Sequence, residues 1–103
     1  MTKEMAILNL SSKNQWVTRK TLANNYLYNK FINWISGEFD LYLQDEQNGL
    51  DVFFPGGKVN INKVEEIKDN VVVEINIESK NLSLANTITN KIISIHKHLE
   101  KLY

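Results

Sequence analysis

The chain has 103 residues, 43% of them apolar and 23% charged, with twelve basic and twelve acidic side chains and no cysteine. That is the composition of an ordinary globular protein, and its length implies a single domain over residues 1–103 with a core of modest size. Disulfide staples, thiolate nucleophiles and cysteine-based zinc sites are excluded.

The zero net charge hides a partition. Residues 1–37 carry five basic and one acidic side chain, residues 38–79 three and ten, and residues 80–103 four and one. Asn, Lys and Ile account for 36 residues while Arg occurs once. The three abundant residues are encoded by A/T-rich codons, which suggests an AT-rich bacterial or phage genome.

The opening run, Met5 to Leu10, reads as a short edge strand or an arm packed on the core. It has no small-residue cleavage site, and no segment approaches the roughly 20 apolar residues of a membrane span. A cytoplasmic protein without membrane contact is expected.

Ser12-Lys-Asn-Gln15 fits a capping box. From there to Gly37 the spacing of Trp16, Ala23, Leu27, Phe31 and Trp34 predicts one helix, ended by Gly37. Leu22, Tyr26, Tyr28 and Ile32 fall outside its main stripe. Leu22, Tyr26 and Ile32 are therefore candidates for a homodimer interface, with contact inside the chain as the alternative.

Next comes Phe39–Phe54, with Asn48-Gly49 between alternating apolar residues, a strong hairpin signal. A two-residue loop would set Leu43 opposite Phe54 and Asp45 opposite Val52. Phe39, Leu41, Leu43, Leu50, Val52 and Phe54 would then share the core face. Asp40, Tyr42, Gln44, Glu46, Asp51 and Phe53 would share the outer face.

Pro55-Gly56-Gly57 predicts a second turn, since no helix or phosphate-loop pattern follows it. Lys58–Asn62 alternates like a strand. Val64–Asn70 fits either a continuation of that strand or one helical turn capped by Asn62. Val71–Glu78 predicts a strand with Val71, Val73, Ile75 and Ile77 on one face. Ala85, Ile88, Ile92, Ile95, Leu99 and Leu102 form a heptad seam, predicting a last helix that lies along the sheet or pairs with a second copy.

The expected fold is thus α+β: a two-layer domain with a four-stranded antiparallel meander flanked by an N-terminal and a C-terminal helix.

The residues offer little chemistry. His96 and His98 point about 200° apart on a helix and cannot chelate one metal. His96 and Glu100 share a face, but on a Lys-rich end they read as solvated side chains. The carboxylate neighbours Asp45/Glu46 and Glu65/Glu66 point apart, and no Gly-x-Ser-x-Gly elbow occurs. No enzyme, metal or cofactor is expected.

What remains is the outer hairpin face, where Asp40, Glu46 and Asp51 surround Tyr42 and Phe53. An aromatic pair in an acidic rim suits a basic protein partner. The expected function is a small non-enzymatic interaction module, an inhibitor or adaptor from a phage or other mobile element acting on a host protein. One alternative is a nucleic-acid-associated protein using Lys13, Arg19, Lys20 and Lys30 with Lys80, Lys91, Lys97 and Lys101. The single Arg weighs against base reading, and the zero net charge against strong phosphate attraction. Another is a structural component of a larger assembly such as a virion.

Overall fold

Val71 to Ile77 are β-branched at every position but Glu74 and Asn76, and this run forms the middle of the molecule. In the computed structural model, which describes residues 8–9 and 15–102, the strand β6 (Asn70–Ser79) has neighbours on both sides. The elements before it are β1 (Leu8–Asn9), β2 (Gln15–Leu22), α1 (Asn25–Glu38), β3 (Leu43–Asp45), β4 (Leu50–Phe54) and β5 (Gly57–Ile67). The helix α2 (Leu82–Leu102) follows it. All pairings are antiparallel, in the order β1-β2-β6-β5-β4-β3.

The α+β class and the two flanking helices are as expected. The sheet is larger: five strands of three residues or more, with the two-residue β1 as a sixth, against the four expected.

The additional long strand replaces the first half of the expected first helix. Residues 15–22 pair along their length with β6, Trp16 opposite Ile77 and Leu22 opposite Val71. Trp16 fits the helical stripe, but Trp16 and Leu22, six residues apart, share a face only at a period of two, and Val17, Thr18 and Thr21 are β-branched, which favours the pleated alternative. The helix begins instead at Asn24, whose Oδ1 accepts from Leu27 N at 2.9 Å, and ends at Phe39 rather than Gly37. Ser12, the expected cap, and Met5–Ile7 lie outside the described residues.

The alternating residues of β6 face one way, joined by Trp16 and Leu22, Val59 and Ile61, and Leu50, Val52 and Phe54. Leu27, Phe31 and Ile35 of α1 and Ala85, Ile88, Ile92, Ile95 and Leu99 of α2 close over them in one cluster. The two helices run antiparallel, bringing Glu38 to Lys91 and Trp34 to His98. The seam of α2 therefore serves the chain's own core, except that Leu102 is exposed.

The β3–β4 hairpin forms one residue out of the expected register. Leu43 pairs with Phe53, Gln44 with Val52 and Asp45 with Asp51. The loop is longer than two residues because Gly49 is committed elsewhere. Its φ is 80°, and a Cβ there would stand 2.1 Å from Ile61 O, so its backbone must lie against β5. A one-residue shift moves a whole strand's side chains to the other face. Tyr42 and Gln44 consequently turn inward, and Leu43 turns out.

Pro55-Gly56 makes the expected turn, with Gly56 at φ 82° between the paired Phe54 and Gly57. Residues 64–67 continue β5 as strand, past a bulge between Lys63 and Glu65. Lys68 and Asp69 then turn the chain, with Lys68 at φ 58°.

Candidate functional site

Both helices lie on one side of the sheet, so among the described residues no element covers the other side. Strand registers align its side chains in rows. One row runs Leu43, Phe53, Lys58, Glu78, Gln15; the next runs Asp45, Asp51, Asn60, Asn76, Val17; a third holds Asn62, Glu74 and Arg19. At the spacing of neighbouring strands, a five-strand row is about 19 Å wide. Glu65 joins this face beside Val72. Five carboxylates (Asp45, Asp51, Glu65, Glu74, Glu78) thus meet two cations (Arg19, Lys58) among the described residues of this face.

Amide side chains tie much of the face together. Asn60 Nδ2 donates to Asp51 Oδ1 at 2.7 Å, Asn62 Nδ2 to Asn60 Oδ1 at 2.7 Å, and Asn76 Nδ2 to Glu74 Oε1 at 3.1 Å. Arg19 Nη2 reaches Glu74 Oε2 at 3.1 Å. The Asn76 hydrogen bond and then Arg19 hold the Glu74 carboxyl below its usual range.

The β3–β4 corner is different. Asp45 and Asp51 face each other directly across the strands. Their side-chain partners are neutral: Gln47 N donates to Asp45 Oδ1 at 3.2 Å, and Asn60 to Asp51. No ion pair among the described residues reaches either. Beside them Leu43 is 74% and Phe53 37% exposed, and Leu41 just before the strand is 95% exposed. Lys58 Nζ lies 5.8 Å from the Phe53 ring centroid.

The expected partner-binding residues are therefore only partly brought together. Asp51 and Phe53 share the open face. Asp40 and Glu46 are exposed on the connections at either end of β3. Tyr42 belongs to the opposite face, its ring 6.1 Å from Phe39 and 6.4 Å from Phe54, so it is not the outward partner of Phe53. Leu43 and Asp45 take that place; the register slip concealed them.

Leu22 and Ile32, expected at a dimer interface, are buried in the chain's own core, while Tyr26 is 59% exposed. His96 is not solvated. It is buried, with Nε2 3.0 Å from Thr21 O and its ring edge-on to Phe31. His98 packs its ring edge-on to Trp34.

Two polar devices were not apparent from sequence. Gln44 sits on the core side and clasps the end of α1: Nε2 donates to Ser36 O at 3.0 Å and Phe39 O at 2.8 Å, and Oε1 accepts from Ser36 Oγ at 2.6 Å. A lone Gln in an alternating strand gives no such signal unless the helix end behind it is known. At the other end of α1, Asn25 bridges Glu66 and Lys63 at 2.9 and 2.7 Å, and Lys63 lies over the Tyr28 ring. Burial, and secondarily the Glu46 charge, raise the Tyr28 phenol above its usual range.

Among the described residues no group of three or more His, Asp or Glu side chains could hold a metal ion, and no helix is long and apolar enough to cross a membrane. Comparison of the sequence with protein-family models and with curated proteins finds no match.

Proposed function

We propose that this chain is a non-enzymatic interaction module that docks a basic protein surface on the β3–β4 corner of its open sheet face. The observation that carries this reading is the directly opposed pair Asp45–Asp51 beside the exposed Leu43–Phe53 pair. Like charges opposite one another weaken a sheet, and no cation among the described residues forms an ion pair with them. A lysine or arginine of a partner would relieve that repulsion while its apolar neighbours cover Leu43 and Phe53. A polar rim around an aromatic anchor is the usual arrangement at protein interfaces.

Such a protein would act as an inhibitor or adaptor by occupying a basic surface of its target. A partner of opposite charge is favoured over a second copy placed face to face, which would repel.

The reading predicts opposite effects on fold and function. Asp45→Lys should raise the stability of the isolated chain by a few tenths to about 1 kcal/mol, as the repulsive pair becomes an attractive one. The same change, with Phe53→Ser as an independent second variant, should abolish the partner captured by the wild-type chain from its native host. Unchanged capture by both folded variants sinks the proposal.

A further inference from the structure

Asn48-Gly49 does not close the hairpin as a two-residue loop, and its chemistry is open to another use. Of the chain's asparagines only Asn48 is followed by glycine; every other one precedes a residue that carries a side chain. Asn48 is exposed in the connection between β3 and β4. Among the described residues neither its side-chain amide nor the Gly49 N–H has a hydrogen-bond partner. The Asn48 main-chain carbonyl is held, accepting from Asn60 Nδ2 at 3.4 Å.

From this arrangement we infer that Asn48-Gly49 is a site of spontaneous covalent modification, at which Asn48 is converted to aspartate and isoaspartate. The reactants are the two adjacent residues and water. Hydroxide takes the Gly49 amide proton, and the nitrogen attacks Asn48 Cγ. The new N–Cγ bond closes a succinimide ring as the Cγ–Nδ2 bond breaks and ammonia leaves, taking a proton from water. Water then adds to one of the two ring carbonyls and breaks its bond to the Gly49 nitrogen. Opening at Cγ gives aspartate; opening at the former main-chain carbonyl gives isoaspartate. Nothing is oxidised or reduced: one water is consumed and one ammonia released.

The fold both permits this reaction and preserves it. Glycine has no Cβ to shield its nitrogen or to resist ring closure. An exposed side chain without hydrogen bonds reaches the rotamer that attack requires at little cost. Gly49 cannot be exchanged to remove the hazard, because a Cβ there would stand 2.1 Å from Ile61 O. The close approach to β5 thus retains the reactive dipeptide. The products also have a defined place. Opening toward isoaspartate leaves a carboxylate on the carbonyl that meets Asn60 Nδ2, and the same Nδ2 donates to Asp51 Oδ1 at 2.7 Å. Either product is ionised at neutral pH and adds one negative charge to a chain whose formal net charge is zero. That charge lies within three residues of Asp45, Glu46 and Asp51. If this corner docks a basic partner as proposed above, the modification changes its charge and, as isoaspartate, its backbone path; the chemistry itself does not rest on that proposal.

The folded wild-type chain, kept in neutral buffer at body temperature and sampled over days, should gain one mass unit, which tandem mass spectrometry locates at Asn48. A more acidic form should grow in on anion exchange, part of it a substrate for an isoaspartate methyltransferase. The rate should rise in proportion to hydroxide as the buffer is made mildly alkaline, since the attacking nitrogen must first lose its proton. Asn48→Gln, whose longer side chain closes a larger ring slowly, should abolish the acidic form over the same days; mapping in the wild-type chain locates the site without that variant. The chain unfolded in guanidinium chloride shows how the dipeptide behaves without the fold. Conversion there with Asn48 intact in the folded chain overturns the inference, because the fold then protects the pair. So does a mass gain that maps to another asparagine. All of these measurements use the isolated chain, so they are decided apart from any partner.

Discussion

The two faces of the sheet are built from the same strands, yet they obey different rules. Along β6, Val71, Val73, Ile75 and Ile77 go under the helices, while Val72, Glu74, Asn76 and Glu78 alternate with them onto the open side. Inward positions are held by volume: each is packed against α1 or α2, and a lost methyl group leaves a void. Outward positions are held by amide hydrogen bonds and one ion pair, all within reach of water. The covered face therefore sets the stability of the molecule, and the open face is free to carry charge patterns, including unfavourable ones such as Asp45 opposite Asp51.

The sharpest way to break this symmetry is a pair of neighbouring truncations. Ile75→Ala, at a residue 1% exposed, should lower unfolding free energy by about 2–5 kcal/mol, the cost of a large-to-small change in a close-packed core. Asn76→Ala, one residue on, should cost no more than about 1 kcal/mol, a single net hydrogen bond. Urea denaturation of both variants measures the ratio. Equal losses would mean that the open face is covered in solution.

Gln44 tests the boundary between the faces. It is a polar residue on the covered side, and its three hydrogen bonds secure α1's last turn to β3. Gln44→Ala leaves the Ser36 and Phe39 carbonyls without that partner and should cost about 1–3 kcal/mol. Hydrogen exchange should show the loss concentrated at residues 36–45. A uniform effect across the sheet would contradict the clasp.

This region also shows what a sequence reveals and where it falls silent. Asn70–Ser79 and α2 were legible because only one period fits each: alternation in one, a 3–4 seam in the other. Pro55-Gly56 was legible because the residues themselves limit φ. Gln15–Leu22 was not, since Trp16 also lines up with the helical stripe of Ala23, Leu27, Phe31 and Trp34, and the choice fell to pairing with β6, a strand distant in sequence. The β3–β4 register was lost because Asn48-Gly49 invites a two-residue loop, while Gly49 is required by its approach to Ile61. At the candidate site, Asp51 and Phe53 were placed on the open face, but Tyr42 was exchanged for Leu43 and Asp45 by that slip. His96 was misjudged as solvated because neighbouring lysines hide that its own side of α2 is covered by Thr21 and Phe31.

A smaller effect sits at the far end of the sheet, where β5 and β6 meet. Lys68 holds φ 58° in the two-residue turn between Ile67 and Asn70, a conformation that strains any residue with a Cβ and is free for glycine. Lys68→Gly should raise stability by a few tenths to about 1 kcal/mol, reduced by the extra freedom glycine gains in the unfolded chain. The midpoint of urea unfolding reads it directly. A loss of stability would show that the Lys68 side chain contributes more than its backbone costs.

The smallest effect belongs to the open face alone and depends on pH. Glu74 accepts from Asn76 and Arg19, so its folded-state pKa lies below the usual 4.5. A carboxyl whose pKa is depressed by folding releases its proton more readily when folded. Its stabilising contribution is complete above about pH 4.5 and disappears as pH falls through the lower folded-state value. The stability of the wild-type chain should consequently fall more steeply than that of Glu74→Gln as pH is lowered from 5 toward 3, the other carboxylates being common to both. Arg19 is well exposed, its side chain 59% accessible, so added salt should weaken its share. The larger share, due to the neutral donor Asn76, should survive the salt. Parallel wild-type and variant curves would show that Glu74 is as free in the fold as in the unfolded chain, and that the amide network of the open face orders side chains without stabilising them.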